Sequence, residues 1–132
     1  MLFIIIAAIL IISIRGFKNI SFFNKYKFNI RSINNGDKYR MFSSGFLHVD
    51  YNHLFFNLFT LFVFSTSILN QLGEIYYLGI YIVSLYFGNY YTLKHYKNQN
   101  FYSAVGASGA VSGIVYSSIL LFPEMKLVFI FF

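Results

Sequence analysis

Residues 46–72 read FLHVDYNHLFFNLFTLFVFSTSILNQL, an apolar run with polar side chains near its start. A helix needs about 20 predominantly apolar residues to cross a bilayer, so this run predicts a membrane span. His48, His53 and Asn57 follow the spacing H-x4-H-x3-N. His53 and Asn57 share one helix face, which His48 joins only if the helix begins after it or bends. Polar groups are costly in hydrocarbon, and these three residues are therefore candidates for function.

A second apolar run, residues 103–122, contains Ser108 in a stretch of small residues. This stretch lacks the G-x-S-x-G pattern of a strand-to-helix nucleophile turn. Gly109 and Gly113 form a G-x-x-x-G pair, which favours close packing of this helix on the helix of the first run. Alternate spans enter the membrane from the same side. We therefore expect Ser108 and His53, each about five residues into its run, at a similar depth of about 7–8 Å.

The composition indicates an integral membrane protein. Hydrophobic residues make up 58% of the 132 residues and charged residues 11%, whereas soluble domains carry about 25% charged residues. Further apolar runs cover residues 1–14 and 75–93, and another begins at residue 125. We expect an all-α, polytopic transmembrane helix bundle of about four spans plus the start of a fifth. Residues 1–132 would form one domain.

Two parts of the chain allow other interpretations. The run over residues 1–14 is short for a span and also suits a signal peptide, although it lacks a basic leader and a small-residue cleavage site. Residues 15–40 mix basic and aromatic side chains, as nucleic-acid surfaces do. Their position between apolar runs favours a loop lying against lipid headgroups instead, so we expect the bilayer and no nucleic acid as partner.

Metal and disulfide chemistry are not indicated. The chain has no cysteine, which excludes a disulfide framework and a thiolate metal site. Two imidazoles five residues apart on a helix diverge, and His48 and His53 have no evident third ligand. We therefore expect neither a metal nor an organic cofactor.

The two polar clusters together resemble the rhomboid family of intramembrane serine proteases. The resemblance covers most of residues 39–123, and H-x4-H-x3-N joined to G-x-S-G is its most specific part. It implies a six-helix protease that cleaves transmembrane proteins near the bilayer surface, with Ser108 as the nucleophile. It also implies that His53 and Asn57, with the backbone N–H of Ser108, form the oxyanion hole. The resembling residues are Tyr39-Arg40, the run 43–58, Glu74 and the run 105–113.

Other matching positions have auxiliary roles in the family. His48 corresponds to a structural histidine, and Gly106 and Gly109 flank the nucleophile. Arg40 and Glu74 match positions that stabilise the first loop and the turn between the second and third helices, although each is equally compatible with an ordinary interface charge.

The general base is the main departure from the family pattern. The resemblance implies a histidine on a sixth helix, and residues 1–132 contain no such helix. His95 lies in a polar stretch that we expect to be a loop. A base must reach the nucleophile within about 3 Å, so we do not expect His95 to replace it. The chain is therefore expected to be a C-terminally incomplete enzyme, lacking the last two transmembrane helices, or an inactive remnant.

Three functions are compatible with these residues. The first is an intramembrane serine endopeptidase, and the second is a pseudoprotease that binds membrane clients. The third is a small channel or transporter that uses His53 and Asn57. Taken singly, Ser108 is compatible with a packing serine bonded to its own helix. His53 and Asn57 are compatible with an interhelical hydrogen-bonded pair. The joint pattern favours the protease.

The expected location is a bacterial inner membrane, with transmembrane proteins as substrates. The charges conflict with the family orientation. Of ten Lys and Arg residues, seven lie in residues 15–40 and two in residues 94–97. The positive-inside rule places both segments in the cytoplasm, whereas the family arrangement, which we favour, places them outside.

Overall fold

A computed structural model describes residues 1–123 of the chain. This part is mostly helical, as predicted, and the fifth apolar run lies outside the described residues. A 3₁₀ turn covers Ser44–Phe46, and the strands β1 (Phe28–Asn29) and β2 (Ser103–Ala104) form a two-stranded antiparallel sheet that an all-α class does not include. The helices are α1 (Leu2–Lys18), α2 (Ile20–Tyr26), α3 (Ile30–Asn34), α4 (Arg40–Ser43), α5 (Tyr51–Leu72), α6 (Glu74–His95) and α7 (Ser108–Leu121).

One helix of residues 1–123, α5, is both long and apolar enough to cross a membrane. Helix α6 has the same length of 22 residues but is less apolar, and α7 is apolar but has 14 residues. The predicted number of four spans therefore stays a prediction. The apolar run 103–122 is longer than α7 because its first residues form β2 and a turn.

Helix α5 begins five residues later than the apolar run that predicted it. Asp50 is its N-cap residue, and Asp50 Oδ1 accepts a hydrogen bond from the backbone N–H of His53 at 2.9 Å. Such a cap satisfies an N–H group that has no partner within the helix. His48 consequently lies in the loop before α5, where the backbone is free to bring it beside Asn57.

Residues 15–40 are more ordered than the predicted loop. Strand β1, α3 and the beginning of α4 contribute a small buried cluster of Phe28, Ile30, Ile33 and Met41. Strand β1 pairs with β2 in the register Phe28 to Ala104. Because β2 directly precedes the turn into α7, this sheet connects residues 15–40 to the turn before Ser108.

The main core lies where α7 packs on both α5 and α6, with α1 alongside. The G-x-x-x-G pair of α7 faces α6. The prediction that this pair packs against α5 is therefore wrong. A Cβ on Gly109 would lie 3.7 Å from the carbonyl oxygen of Ser84, and a Cβ on Gly113 would collide with the Ser84 side chain. The glycines therefore allow α6 and α7 to approach closely. Larger side chains such as Leu61 of α5 and Ile114 of α7 belong to the main core.

Candidate active site

The candidate residues meet at the end of the bundle where α5 and α7 begin. His53 is the third residue of α5, and Ser108 is the first residue of α7. Both residues therefore lie closer to the start of their helices than to the start of the apolar runs that predicted them. The cap at Asp50 and the strand before Ser108 shorten both helices at this end, and the two side chains border the same cavity.

A cavity of about 260 Å³ contains the predicted catalytic group. Its lining residues are His48, Val49, His53, Phe56, Asn57, Val105, Gly106 and Ser108. A second cavity, of about 230 Å³, lies on the other side of Ser108 and includes Ser44, Asn89 and Gly109 in its wall. Ser108 stands between the two cavities and is exposed, so a substrate can reach its hydroxyl.

His48 is the buried centre of the site, with 1% of its surface exposed. Its Nε2 lies 2.9 Å from Asn57 Nδ2 and accepts a hydrogen bond from the backbone N–H of Ala107 at 3.3 Å. Its Nδ1 lies 3.0 Å from Ser13 Oγ. Burial, and secondarily the nearby His53, lowers the pKa of His48 to about 4, although Asp50 opposes this shift. The imidazole is therefore neutral at pH 7.

The turn before Ser108 is fixed by backbone contacts and by a glycine. Gly106 has a φ of +131°, a conformation that L side chains rarely adopt. Its N–H donates to the carbonyl of Ser44 at 3.0 Å. Helix α7 has no side-chain N-cap, and its first N–H groups have no partner within the helix. The N–H of Ser108 is therefore available beside the cavity.

His53 is held by the residue that caps its helix. Its Nδ1 lies 3.1 Å from Asp50 Oδ1, and 66% of the side chain is exposed. Asp50 Oδ1 thus accepts from the backbone N–H of His53 and also lies beside its ring. This leaves the Nε2 side of the ring for a ligand in the cavity.

His95 is the last residue of α6, and the predicted loop position is wrong because the helix continues through the polar residues 94–95. Its ring stacks on Tyr91 at a centroid distance of 5.6 Å, and it lines neither cavity beside Ser108. Within residues 1–123, no histidine forms a hydrogen bond with the Ser108 hydroxyl. The same part of the chain has no group of three His, Cys, Asp or Glu that could hold a metal.

Arg40 and Glu74 lie at opposite ends of the bundle. Arg40 is 7% exposed, and its Nη1 donates to the carbonyls of Asn24 and Lys27 at 2.9 and 2.8 Å. It therefore joins the end of α2 to α4. Glu74 lies at the far end from Ser108, where its exposed carboxylate is 3.1 Å from the amino group of Met1.

Sequence reasoning missed Ser13 and Asn89. Ser13 is fully buried in the apolar helix α1 and contacts His48. Asn89 Nδ2 donates to the carbonyl of Met41 at 2.7 Å and to Ser44 Oγ at 3.2 Å. Each is a polar side chain inside an apolar run, which is the same signal that singled out Asn57.

A helical bundle with an accessible serine beside histidine and asparagine donors defines a class of membrane-embedded proteins, and comparisons identify it. A family model of the rhomboid domain matches residues 35–132. The chain belongs to the rhomboid family, which confirms the resemblance seen in the sequence. This family is membrane-embedded and includes intramembrane proteases and rhomboid-like proteins.

Two relatives illustrate the similarity. RHOMBOID-like protein 12, mitochondrial, of Arabidopsis thaliana is 27% identical over 124 residues, which cover 83% of this chain and 37% of the relative. YdcA of Bacillus subtilis (strain 168), which its name assigns provisionally to the rhomboid proteases, is 34% identical over 90 residues. That match covers 67% of this chain and 44% of YdcA. The chain therefore spans less than half the length of either relative.

Proposed function

We propose that the protein is an intramembrane serine endopeptidase that cleaves transmembrane protein substrates with Ser108 as its nucleophile. The observation that carries this proposal is the single cavity shared by Ser108, His53 and Asn57. In this proposal residues 1–132 belong to one membrane domain. In this proposal the general base is a histidine outside residues 1–132, because a serine hydroxyl needs an adjacent base to become nucleophilic.

The geometry supports acyl transfer at Ser108. Attack of its Oγ on a carbonyl carbon gives a tetrahedral intermediate with a negative oxygen. The backbone N–H of Ser108, the Nε2–H of a doubly protonated His53 ring and one amide N–H of Asn57 are the proposed donors to that oxygen. The other amide N–H of Asn57 is directed to His48, 2.9 Å away, which fixes the orientation of the amide. Each preorganised donor is worth about 10²–10³ in rate.

The test is cleavage of a labelled transmembrane reporter by the full-length gene product reconstituted in a bilayer. We expect Ser108→Ala to abolish cleavage and Asn57→Ala to lower kcat by about 10²–10³. Ser112→Ala is the matched control, because Ser112 lies one turn further along α7 and lines neither cavity beside Ser108. Cleavage that is equal in Ser108→Ala and in the unmodified protein would refute the assignment.

A second candidate is a rhomboid-like protein that binds membrane clients without cutting them. The observation that favours it is the lack of a hydrogen bond between Ser108 and any histidine within residues 1–123. In this case crosslinked clients would be recovered equally with and without Ser108→Ala, and no cleavage product would form.

We further propose a multi-pass protein of a bacterial inner membrane, with the end that carries Ser108 facing outward. The mitochondrial location in the name of the Arabidopsis relative is the alternative compartment. Reporter fusions within residues 94–100 test the orientation, because this segment lies at the same end as Ser108. A cytoplasmic signal there would favour the orientation that the basic residues predict.

A further inference from the structure

Ser13 makes contacts that a packing serine in an apolar helix does not make. Such a serine usually bonds to the carbonyl one turn earlier in its own helix. Ser13 Oγ instead lies 2.7 Å from the carbonyl oxygen of Phe46 and 3.0 Å from His48 Nδ1. It is fully buried, so no water competes for these two bonds. Both partners belong to the segment that leads into α5.

The donors and acceptors around His48 admit one arrangement. The backbone N–H of Ala107 can only donate, and it points at His48 Nε2 from 3.3 Å. Nε2 must therefore present its lone pair, which also suits the amide N–H of Asn57 at 2.9 Å. In a neutral imidazole the proton then lies on Nδ1. Nδ1–H donates to Ser13 Oγ, and the Ser13 hydroxyl donates onward to the Phe46 carbonyl.

We propose that Ser13 is a positioning residue of the active site, because its hydroxyl accepts from Nδ1–H of His48 and so fixes the position of the ring. In that position Nε2 accepts from Asn57 and from the backbone just before Ser108. Ser13 thereby connects α1 to Asn57 and to the turn before Ser108 without touching the substrate. This inference deepens the proposed protease function and rests on it for its effect on cleavage.

Removal of the Ser13 hydroxyl leaves Nδ1–H without an acceptor in a buried site. A buried donor without a partner is costly, so the ring shifts towards another acceptor while Nδ1 keeps its proton. The Nε2 lone pair moves with the ring, and its hydrogen bonds to Asn57 and Ala107 weaken. The Asn57 amide and the turn before Ser108 shift away from the positions that the reaction needs.

The direct test is the tautomer of His48 measured by nitrogen NMR in micelles. The 132-residue chain contains three histidines, so labelling histidine with ¹⁵N and using a tag without histidine gives three assignable rings. We expect the signal of a hydrogen-bonded Nδ1–H for His48 in the unmodified chain and loss of that signal in Ser13→Ala. An Nε2–H tautomer of His48 in the unmodified chain would overturn the proposal without the use of any variant.

Ser118→Ala is the matched control for this experiment. Ser118 is also a fully buried serine on an apolar helix, and its hydroxyl donates to the carbonyl of Phe64 at 2.8 Å. This variant removes one buried hydroxyl without touching His48, so the Nδ1–H signal should persist. Loss of that signal in Ser118→Ala would make the tautomer a report of general stability and would contradict a specific role for Ser13.

Cleavage by the full-length gene product gives the second readout. We expect Ser13→Ala to lower kcat by up to about 100-fold with little change in KM, because small misplacements of catalytic groups have effects of this size. An unchanged kcat in Ser13→Ala would reject its positioning role. Absence of cleavage in the unmodified protein would instead reject the proposed function, and the tautomer measurement would still decide the arrangement at His48.

Discussion

Helices α5 and α7 begin beside the same cavity, yet their starts are fixed in different ways. Helix α5 has a local cap, in which Asp50 accepts a hydrogen bond from the N–H of His53 three residues later. Helix α7 has no side-chain cap, and its start is held by Ser44 and His48, which are distant in the chain. One residue therefore fixes the start of α5. The start of α7, with Ser108, depends on the packing of other segments.

His48 bonds Asn57 in the second turn of α5 and the N–H of Ala107 just before α7, so its protonation should have the largest effect on stability. Its pKa is about 4 in the folded protein, against an ordinary value of 6.5. The unfolded chain therefore binds more protons between these values, and stability rises with pH in this window. On acidification from pH 6.5 to pH 4, we expect the free energy of unfolding to fall by about 3 kcal/mol.

The measurement is reversible unfolding in micelles as a function of pH. In His48→Gln this part of the pH dependence should disappear. His95→Gln is the control, because His95 is exposed and lines neither cavity beside Ser108, and it should retain the full dependence. Equal pH dependence in His48→Gln and the unmodified chain would show that another group is responsible.

Gly106→Ala should disturb the start of α7 alone. The new Cβ has space, since the nearest atoms are 3.9 Å away, but the φ of +131° is unfavourable for alanine. Strain of this kind costs about 1–3 kcal/mol. We expect a comparable loss of stability, together with reduced cleavage, because relaxation of the turn moves Ser108 relative to His53.

Gly36→Ala is the matched control for this substitution. Gly36 has a φ of +117° and nothing within 4 Å of a Cβ, and it lines neither cavity beside Ser108. It should lose a similar amount of stability while kcat stays unchanged. If both variants lose kcat equally, the turn before Ser108 has no special role.

Asp50→Ala should disturb the start of α5 and have the smallest effect on stability. Loss of an N-cap side chain costs about 1 kcal/mol. The variant also frees the His53 ring, whose Nδ1 lies 3.1 Å from Asp50 Oδ1, so cleavage should fall as well. Thermal unfolding and reporter cleavage measure the two effects.

Asp50→Asn separates the cap from the ring contact. Asparagine caps helices about as well as aspartate, so the stability of α5 should be retained. The negative charge beside His53 is lost, and cleavage should still fall. Full activity in Asp50→Asn would mean that the carboxylate does not orient His53 for the reaction.

Local features of the chain could be predicted because their physical causes lie within a few residues. The i, i+4 pairing of His53 and Asn57 follows from helix geometry, and α5 ends at Leu72, where its apolar run ends. The sequence also carried the family pattern, which the rhomboid domain match confirms. The site roles of Ser108 and its partners stay predictions until cleavage is measured.

Other features depend on contacts between distant segments. The sheet at Phe28–Asn29 forms because β1 pairs with β2, which lies far along the chain. Gly109 and Gly113 face α6, where Ser84 lies against them. Neither outcome has a local signal, since a small residue allows close approach without specifying its partner.

By itself, the sequence determined a helical membrane protein of the rhomboid family, the course of α5 and the spacing of its polar face. Apolar length, side-chain periodicity and a cap at Asp50 are local properties and act before any packing. The tertiary structure decided that α7 begins at Ser108, that His48 contacts both helix starts and that Ser13 reaches His48. These depend on hydrogen bonds between residues far apart in the chain, which form only when α1, α5 and α7 pack together.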